Sequence, residues 1–164
     1  MPQLVLSFAR AQVTAVIDPP GSALLGYFQS GGRQMTAEPG NTILQGVGLA
    51  RKTRMVEHTT GKVDGGFRAN DLECIEMCQY LLRNEGLYVG PTAAANVCGA
   101  VKLAKMMGPG QRIATVLCDH GSQYATTAFN KEWLKEKNLV PTSTGTSIDF
   151  IKVDKQGALK PASA

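Results

Sequence analysis

The sequence predicts an α/β fold, an open and mainly parallel sheet flanked by helices. Two observations carry this. Short runs rich in β-branched residues, over 13–17 and 113–118, alternate with longer segments whose apolar residues recur every three to four positions. A composition of 43% hydrophobic and 18% charged residues over 164 positions suits one domain with its own core.

The run over 13–17 ends in Asp18-Pro19-Pro20-Gly21, which marks a buried strand emptying into a turn. Ser22 opens a helix over 23–28, with Leu24, Leu25 and Phe28 at helical spacing. Residues 30–70 hold Gly31-Gly32, Pro39-Gly40, Gly46-Val47-Gly48 and the glycines from 61 to 66. No regular element is expected there, and long irregular segments inside a domain are usually functional or mobile.

Asn70 and Glu73 form a capping box, and Leu72, Ile75, Cys78, Leu81 and Leu82 continue a helix to Gly86. A brief strand over 87–89 leads through Gly90-Pro91-Thr92 into a helix over 93–107, stopped by Gly108-Pro109-Gly110. The continuous apolar run over 113–118 reads as a strand buried on both faces, closed by Asp119-His120-Gly121. Short helices follow over 125–129 and 131–137. Residues 142–164, with few large apolar side chains, read as a flexible tail.

Seventeen basic against thirteen acidic residues give +4, scattered along the chain. The one cluster, 131–137, interleaves Glu132 and Glu136 and reads as a solvated helix face, so nucleic acid is not an expected partner. No apolar run reaches the roughly 18–20 residues that a membrane helix needs. Cys74, Cys78, Cys98 and Cys118 lack the spacing of a zinc site and read as buried reduced thiols, which favours a cytoplasmic protein. No secretory signal is evident, and organellar import is the alternative.

In parallel sheets, ligands gather at the carboxyl ends of strands. Three segments are placed there: 18–21, 90–96 and 119–123. Thr92 is either a helix cap or part of an anion site at a helix mouth, and the cap is the simpler reading. Gly46-Val47-Gly48 forms a turn or lets backbone approach a ligand. His120, one of two histidines, could exchange a proton near neutral pH; alone it reads as a hydrogen-bonded strand-end residue. His58, beside Glu57, reads as solvent-exposed. The glycine motifs of dinucleotide and P-loop sites and the HExxH motif are absent, and no metal site or catalytic triad is expected.

The order of segments is recognisable. Asp18-Pro19-Pro20-Gly21-Ser22, the stretch from Ile43 through Gly46-Val47-Gly48, Asn84 to Gly90, Ala95-Asn96-Val97, Gly108-Pro109-Gly110 and Thr115 to Gly121 with Tyr124 resemble the C-terminal half of cysteine synthases. Phe129-Asn130 and Trp133-Leu134 resemble that family's last helices. The resemblance implies part of a fold type II pyridoxal-phosphate enzyme: an unmatched segment over 1–11, a cysteine-synthase-like α/β region over 12–141 and the tail over 142–164.

By this resemblance the cofactor is pyridoxal phosphate, and the reaction is β-replacement on an activated serine to give cysteine. Gly46, Val47 and Gly48 match the glycine loop near the small amino-acid substrate. His120 stands where the family commonly has a serine bonded to the pyridine nitrogen. The family's Schiff-base lysine, substrate-carboxylate loop and phosphate loop precede the matched part, whereas lysines here begin at Lys52. No catalytic residue is therefore assigned, and the chain alone is expected to be inactive. At 164 residues it is about half of what such an enzyme needs. Expected partners are another copy of itself or a full-length cysteine synthase chain. The alternative reading is a non-catalytic remnant or binding module that associates with a full-length cysteine synthase.

Overall fold

The first strand, β1 (Ala15–Asp18), pairs in parallel with β2 (Gly65–Arg68), and β2 pairs antiparallel with β3 (Ala158–Leu159). The sheet order is therefore β1-β2-β3, with β1 at one edge. These coordinates come from a computed structural model that describes residues 12–153 and 158–159. The expected segment 1–11 lies outside the described residues, as do 154–157 and 160–164 of the expected tail.

Between β1 and β2 run α1 (Leu24–Gln29) and α2 (Arg54–Thr59). Then come α3 (Asp71–Tyr80), continued by one wider π-type turn over Leu81–Glu85, and α4 (Pro91–Met107). A short 3-10 turn at Gly121–Tyr124 and α5 (Lys131–Glu136) follow.

The capping box forms as its residue types dictate. The Asn70 side chain accepts from Glu73 N–H at 2.9 Å and donates to the Glu73 carboxylate at 3.0 Å. Beyond that cap, residues 73–78 are all buried, because α3 packs between α4 and the chain that returns over 142–151. The two buried charges at this contact neutralise each other: Lys102 of α4 sits 2.7 Å from Glu73 and donates to the Arg68 carbonyl. The larger core joins Cys74, Met77 and Cys78 of α3 with Ala94 and Cys98 of α4 and with Ile151.

Several expectations about local structure are corrected. The glycine-rich stretch 30–70 contains both α2 and β2. β2 was hidden because its sequence, Gly-Gly-Phe-Arg, has little strand propensity. Packing decides here instead: a Cβ at Gly66 would lie 2.4 Å from the Val16 carbonyl oxygen, so only glycine lets the two strands close.

The segment 113–118 is not a strand, and Val116 and Leu117 are exposed. A strand buried on both faces needs neighbours to pair with, and none among the described residues reaches it. For the same reason Cys118 is exposed rather than buried.

Residues 87–89 form no strand; Val89 alone makes a single antiparallel bridge, to His120. Residues 125–129 form turns closing on the Tyr124 carbonyl rather than a helix.

Residues 142–153 have no regular element, yet they are fastened to the fold. The buried Glu76 carboxylate accepts the Thr142 N–H at 2.7 Å and the Ser143 N–H at 3.1 Å. Ile151 is fully buried, and Lys105 donates to its carbonyl at 2.7 Å.

Candidate functional site

The candidate site grows from the N-terminus of α4, where two loop segments are laced together. Gly90 N–H donates to the Asp119 carbonyl at 3.1 Å, and Gly121 N–H donates to the Tyr88 carbonyl at 3.0 Å. Glycine is required on both sides of this seam. A Cβ on Gly90 would lie 2.5 Å from the Asp119 carboxylate, and one on Gly121 would lie 2.4 Å from the Tyr88 ring.

The seam brings Asp119 into the middle of a polar cluster. Thr92 donates to one carboxylate oxygen at 3.2 Å, and the Tyr124 hydroxyl donates to the other. That hydrogen bond to the Asp119 carboxylate, with some burial, pushes the Tyr124 phenol up to about 12. Thr92 is thus committed to Asp119. The cap position of α4 is Gly90, which has no side chain to offer, and Pro91 opens the helix.

His120 stands beside this cluster with its ring exposed. Nδ1 accepts Ser122 N–H at 3.3 Å and lies 2.8 Å from the Ser122 hydroxyl. With Nδ1 an acceptor, the neutral ring carries its proton on Nε2. Tyr88 meets the ring edge-on, centroids 5.1 Å apart, and fixes its plane.

Gly46, Val47 and Gly48 lie elsewhere, against the turn that follows β1. Ser22 holds the loop by accepting Leu49 N–H at 3.0 Å, and Ala23 N–H donates to the Leu49 carbonyl at 2.8 Å. Gly48 has φ +81°, and a Cβ there would meet Pro19 at 2.9 Å. Gly46, at φ +74°, faces open space. A hollow of about 260 Å³ lies between this loop and the Pro19-Pro20-Gly21 turn; Val47 and Gly48 line it and His120 does not. His58 is exposed, as expected.

Asp119 and Tyr124 escaped the sequence reading as a functional pair, although their five-residue separation at a strand end was visible. The pairing of Asp18, which lies in the expected segment 18–21, with Arg68 was also missed. The fully buried Asp18 carboxylate accepts Arg68 Nη1 at 2.6 Å and Leu25 N–H at 2.8 Å, joining the carboxyl ends of β1 and β2 to α1.

The residues present do not fit a whole pyridoxal-phosphate site. The side chains that bond or pack against Asp119 and His120 are Thr92, Tyr124, Ser122 and Tyr88, and none carries an amine. The buried lysine, Lys102, is committed to Glu73. Lys105 is bonded to Ile151, and Lys52 is paired with Glu57 at the surface. What the described residues place together here is the exposed imidazole of His120 beside the Asp119 cluster. Among them no group of three or more His, Cys, Asp or Glu could hold a metal ion, and no helix is long and apolar enough to cross a membrane.

Comparison with known proteins gives a consistent picture. The family described as "Pyridoxal-phosphate dependent enzyme" matches residues 5–119, beginning within the 1–11 segment. Cysteine synthase 2 of Schizosaccharomyces pombe is 38% identical over 143 residues, covering 82% of this chain and 36% of the relative. Cysteine synthase of Dictyostelium discoideum is 36% identical, covering 84% of this chain and 37% of the relative. The crystal structure of the O-acetylserine dependent cystathionine beta-synthase from Helicobacter pylori superposes with a TM-score of 0.56 at 25% identity. That match covers 68% of this chain and 32% of the other. The chain spans about a third of the length of the curated relatives it matches, less than the half expected.

Proposed function

Because the chain belongs to the pyridoxal-phosphate dependent enzymes, we propose that it is the carboxyl-terminal portion of a cysteine-synthase-like catalytic unit, inactive by itself. The observation that carries this reading is the pattern of similarity, extensive over this chain and confined to about a third of each cysteine synthase it matches. Pyridoxal phosphate is the cofactor of the family, and when bound it supplies an electron sink for bonds broken at an amino acid's α-carbon. The lysine and the phosphate cradle belong to the part of the family fold that the described residues do not supply.

Within that unit this chain contributes a wall and a loop. His120 presents its Nε2 proton at the position where the resemblance has a serine facing the pyridine nitrogen. Asp119, held by Thr92 and Tyr124, fixes the segment that carries His120. Gly46, Val47 and Gly48 leave backbone open beside the turn after β1, where a small amino-acid substrate can lie against N–H and C=O groups. The proposed reaction is β-replacement on an activated serine to give cysteine. The proposed compartment is the cytoplasm, a reading supported by four free cysteines, three of them buried.

The test is reduction with borohydride after incubation with pyridoxal phosphate, followed by peptide mapping. No single lysine should be labelled above the level of the exposed ones; stoichiometric labelling at one lysine would sink the inactive-alone reading. A second reading, a non-catalytic module that associates with a full-length cysteine synthase, is favoured by one observation, the outer edge of β1, which pairs with no strand among the described residues. Turnover gained on complex formation separates the first reading from the second.

A further inference from the structure

At the carboxyl ends of β1 and β2, where ligands of parallel sheets gather, the Arg68 guanidinium is almost enclosed, its side chain only 12% exposed. Nη1 donates to the buried Asp18 carboxylate at 2.6 Å and to the Pro19 carbonyl at 2.9 Å, and Nη2 donates to the Ser22 carbonyl at 3.3 Å. These partners fix the planar fork against β1 and the turn after it. Nε, however, is buried and has no hydrogen-bond partner. Nη2 also meets Glu38, a half-exposed carboxylate that touches it with Oε1 alone, at 2.7 Å. Nε and Nη2 share one edge of the guanidinium, the edge that a carboxylate grips with both oxygens. Glu38 fills half of that grip.

Glu38 arrives on a span with little else to hold it. Residues 36–41 are all exposed, and none of their backbone groups makes a hydrogen bond among the described residues. Upstream lie Gly31 and Gly32, both at positive φ. Downstream the chain is anchored where the Asp71 carboxylate accepts the Thr42 hydroxyl and the Ile43 N–H. Between these points the span only rests on Pro20 and Gly21 through Gly40.

We propose that Arg68 is a receptor for the carboxylate of a small molecule, and that Glu38 occupies it in cis as a displaceable lid. The incoming carboxylate takes Nη2 from Glu38, the span 36–41 lifts, and the second oxygen makes the bond to Nε that Glu38 leaves unmade. One carboxylate replaces another, so the local charge and the Asp18 pairing are kept. The exchange is driven by the orphaned donor: a buried N–H without a partner carries its full desolvation cost, whereas a half-exposed ion pair is screened by water. Against it stands the tether. A competitor on a short flexible span acts at an effective concentration in the millimolar range, so a free carboxylate must reach that range to replace it. The fork also sets the ligand class, a planar oxyanion with two oxygens to offer, which a spherical ion does not match. Gly40 and Asn41 of the span line the hollow of about 260 Å³ beside Gly48. Lifting the span widens that hollow and couples carboxylate binding at Arg68 to access at the loop over 46–48. The use of this coupling for an amino-acid substrate rests on the proposed function; the exchange at Arg68 does not.

The experiment titrates the full chain with sodium acetate, against sodium chloride at matched ionic strength, and follows the Arg68 Nε–H and the backbone amides by NMR. The Nε–H signal is assigned through its own side chain from the Arg68 backbone. With acetate it should shift and saturate in the millimolar range, while the Ala37 and Gly40 amide signals sharpen as the span is freed. Chloride should produce neither change. Glu38→Gln lies on the exposed span, leaves the fold intact and carries no charge to compete. In that variant the half-saturating acetate concentration should fall about two- to fivefold, the effect of one partly exposed ion pair. An equal response to chloride would reduce the effect to screening and overturn the proposal. So would a half-saturation unchanged in Glu38→Gln, a shift at Nε–H with the span signals unmoved, or an Nε–H signal that acetate moves in neither protein. None of these signals depends on pyridoxal phosphate, so the receptor and the catalytic reading fail separately.

Discussion

The Asp18 carboxylate lies 2.6 Å from the Arg68 guanidinium at the paired carboxyl ends of two parallel strands, and its side chain is fully buried. The same oxygen accepts Leu25 N–H, so one carboxylate ties both strands to the start of α1. Removing one partner of a buried pair leaves an uncompensated charge, which typically costs about 3–5 kcal/mol. Arg68→Met should therefore lower the unfolding free energy read from urea melts by an amount in that range. The Asp18→Asn/Arg68→Met double variant should recover part of the loss. A loss in the double variant equal to the sum of the two single losses would show that the pair is not coupled.

Two glycine substitutions should have opposite signs. Gly66→Ala drives a methyl to within 2.4 Å of the Val16 carbonyl, which is backbone and cannot step aside. The sheet should lose about 1–3 kcal/mol or fail to close. Gly26→Ala places its methyl in open space within α1, where alanine should stabilise by about 0.5–1 kcal/mol. Denaturant melts of both variants decide this, and a stable Gly66→Ala protein would contradict the strand register.

Tyr124 sets an alkaline limit on stability. Its phenol is raised to about 12 by the hydrogen bond to Asp119, while in the unfolded chain it ionises near its ordinary value of about 10. A raised folded-state value means stability that is fully present below about pH 10 and lost as pH climbs through about 12. In Asp119→Asn the tyrosinate absorbance should lose its late-titrating component. An unchanged titration curve would remove Asp119 as the cause.

Thiol chemistry should sort the cysteines. Burial pushes the Cys78 and Cys98 thiols up, and Cys74 beside them adds to both shifts. Cys118 is exposed. A disulfide reagent should titrate one thiol in the native protein and four after unfolding, and Cys118→Ser should abolish the native reaction.

In a reconstituted complex, His120→Ser should retain or tighten pyridoxal-phosphate binding and shift the cofactor's absorbance. Unchanged affinity and spectrum would place His120 away from the ring.

What the sequence showed and what it concealed follow from where each element draws its stability. Asn70 and Glu73 satisfy the start of α3 from within four residues, so that helix was legible at its first residue. β1 was legible because its apolar run is stopped by two prolines. β2 was not, because Gly66 is chosen by the Val16 carbonyl, fifty positions away in sequence. The run 113–118 carries a strand's composition without a partner strand among the described residues, and composition cannot report whether a partner is there. His120 was found by its place after that run. The cluster that holds it was not, since Thr92, Asp119 and Tyr124 meet only once the seam between 88–90 and 119–121 has closed.

The parallel pairing of β1 with β2 also bears on how the chain folds. Asp18 and Arg68 are separated by 50 positions, and closing a loop of that size costs about 2 kcal/mol more in chain entropy than closing a tight hairpin. α3 and α4, in contrast, are joined by a single turn and a few residues, so their contact is local and forms early. The order we infer is a helical pair that assembles first and a sheet that zips onto it late. In stopped-flow refolding, the far-ultraviolet helix signal should precede protection of the Ala69 amide, which donates to the Asp18 carbonyl across the two strands. If both appear in one phase, the two units form together.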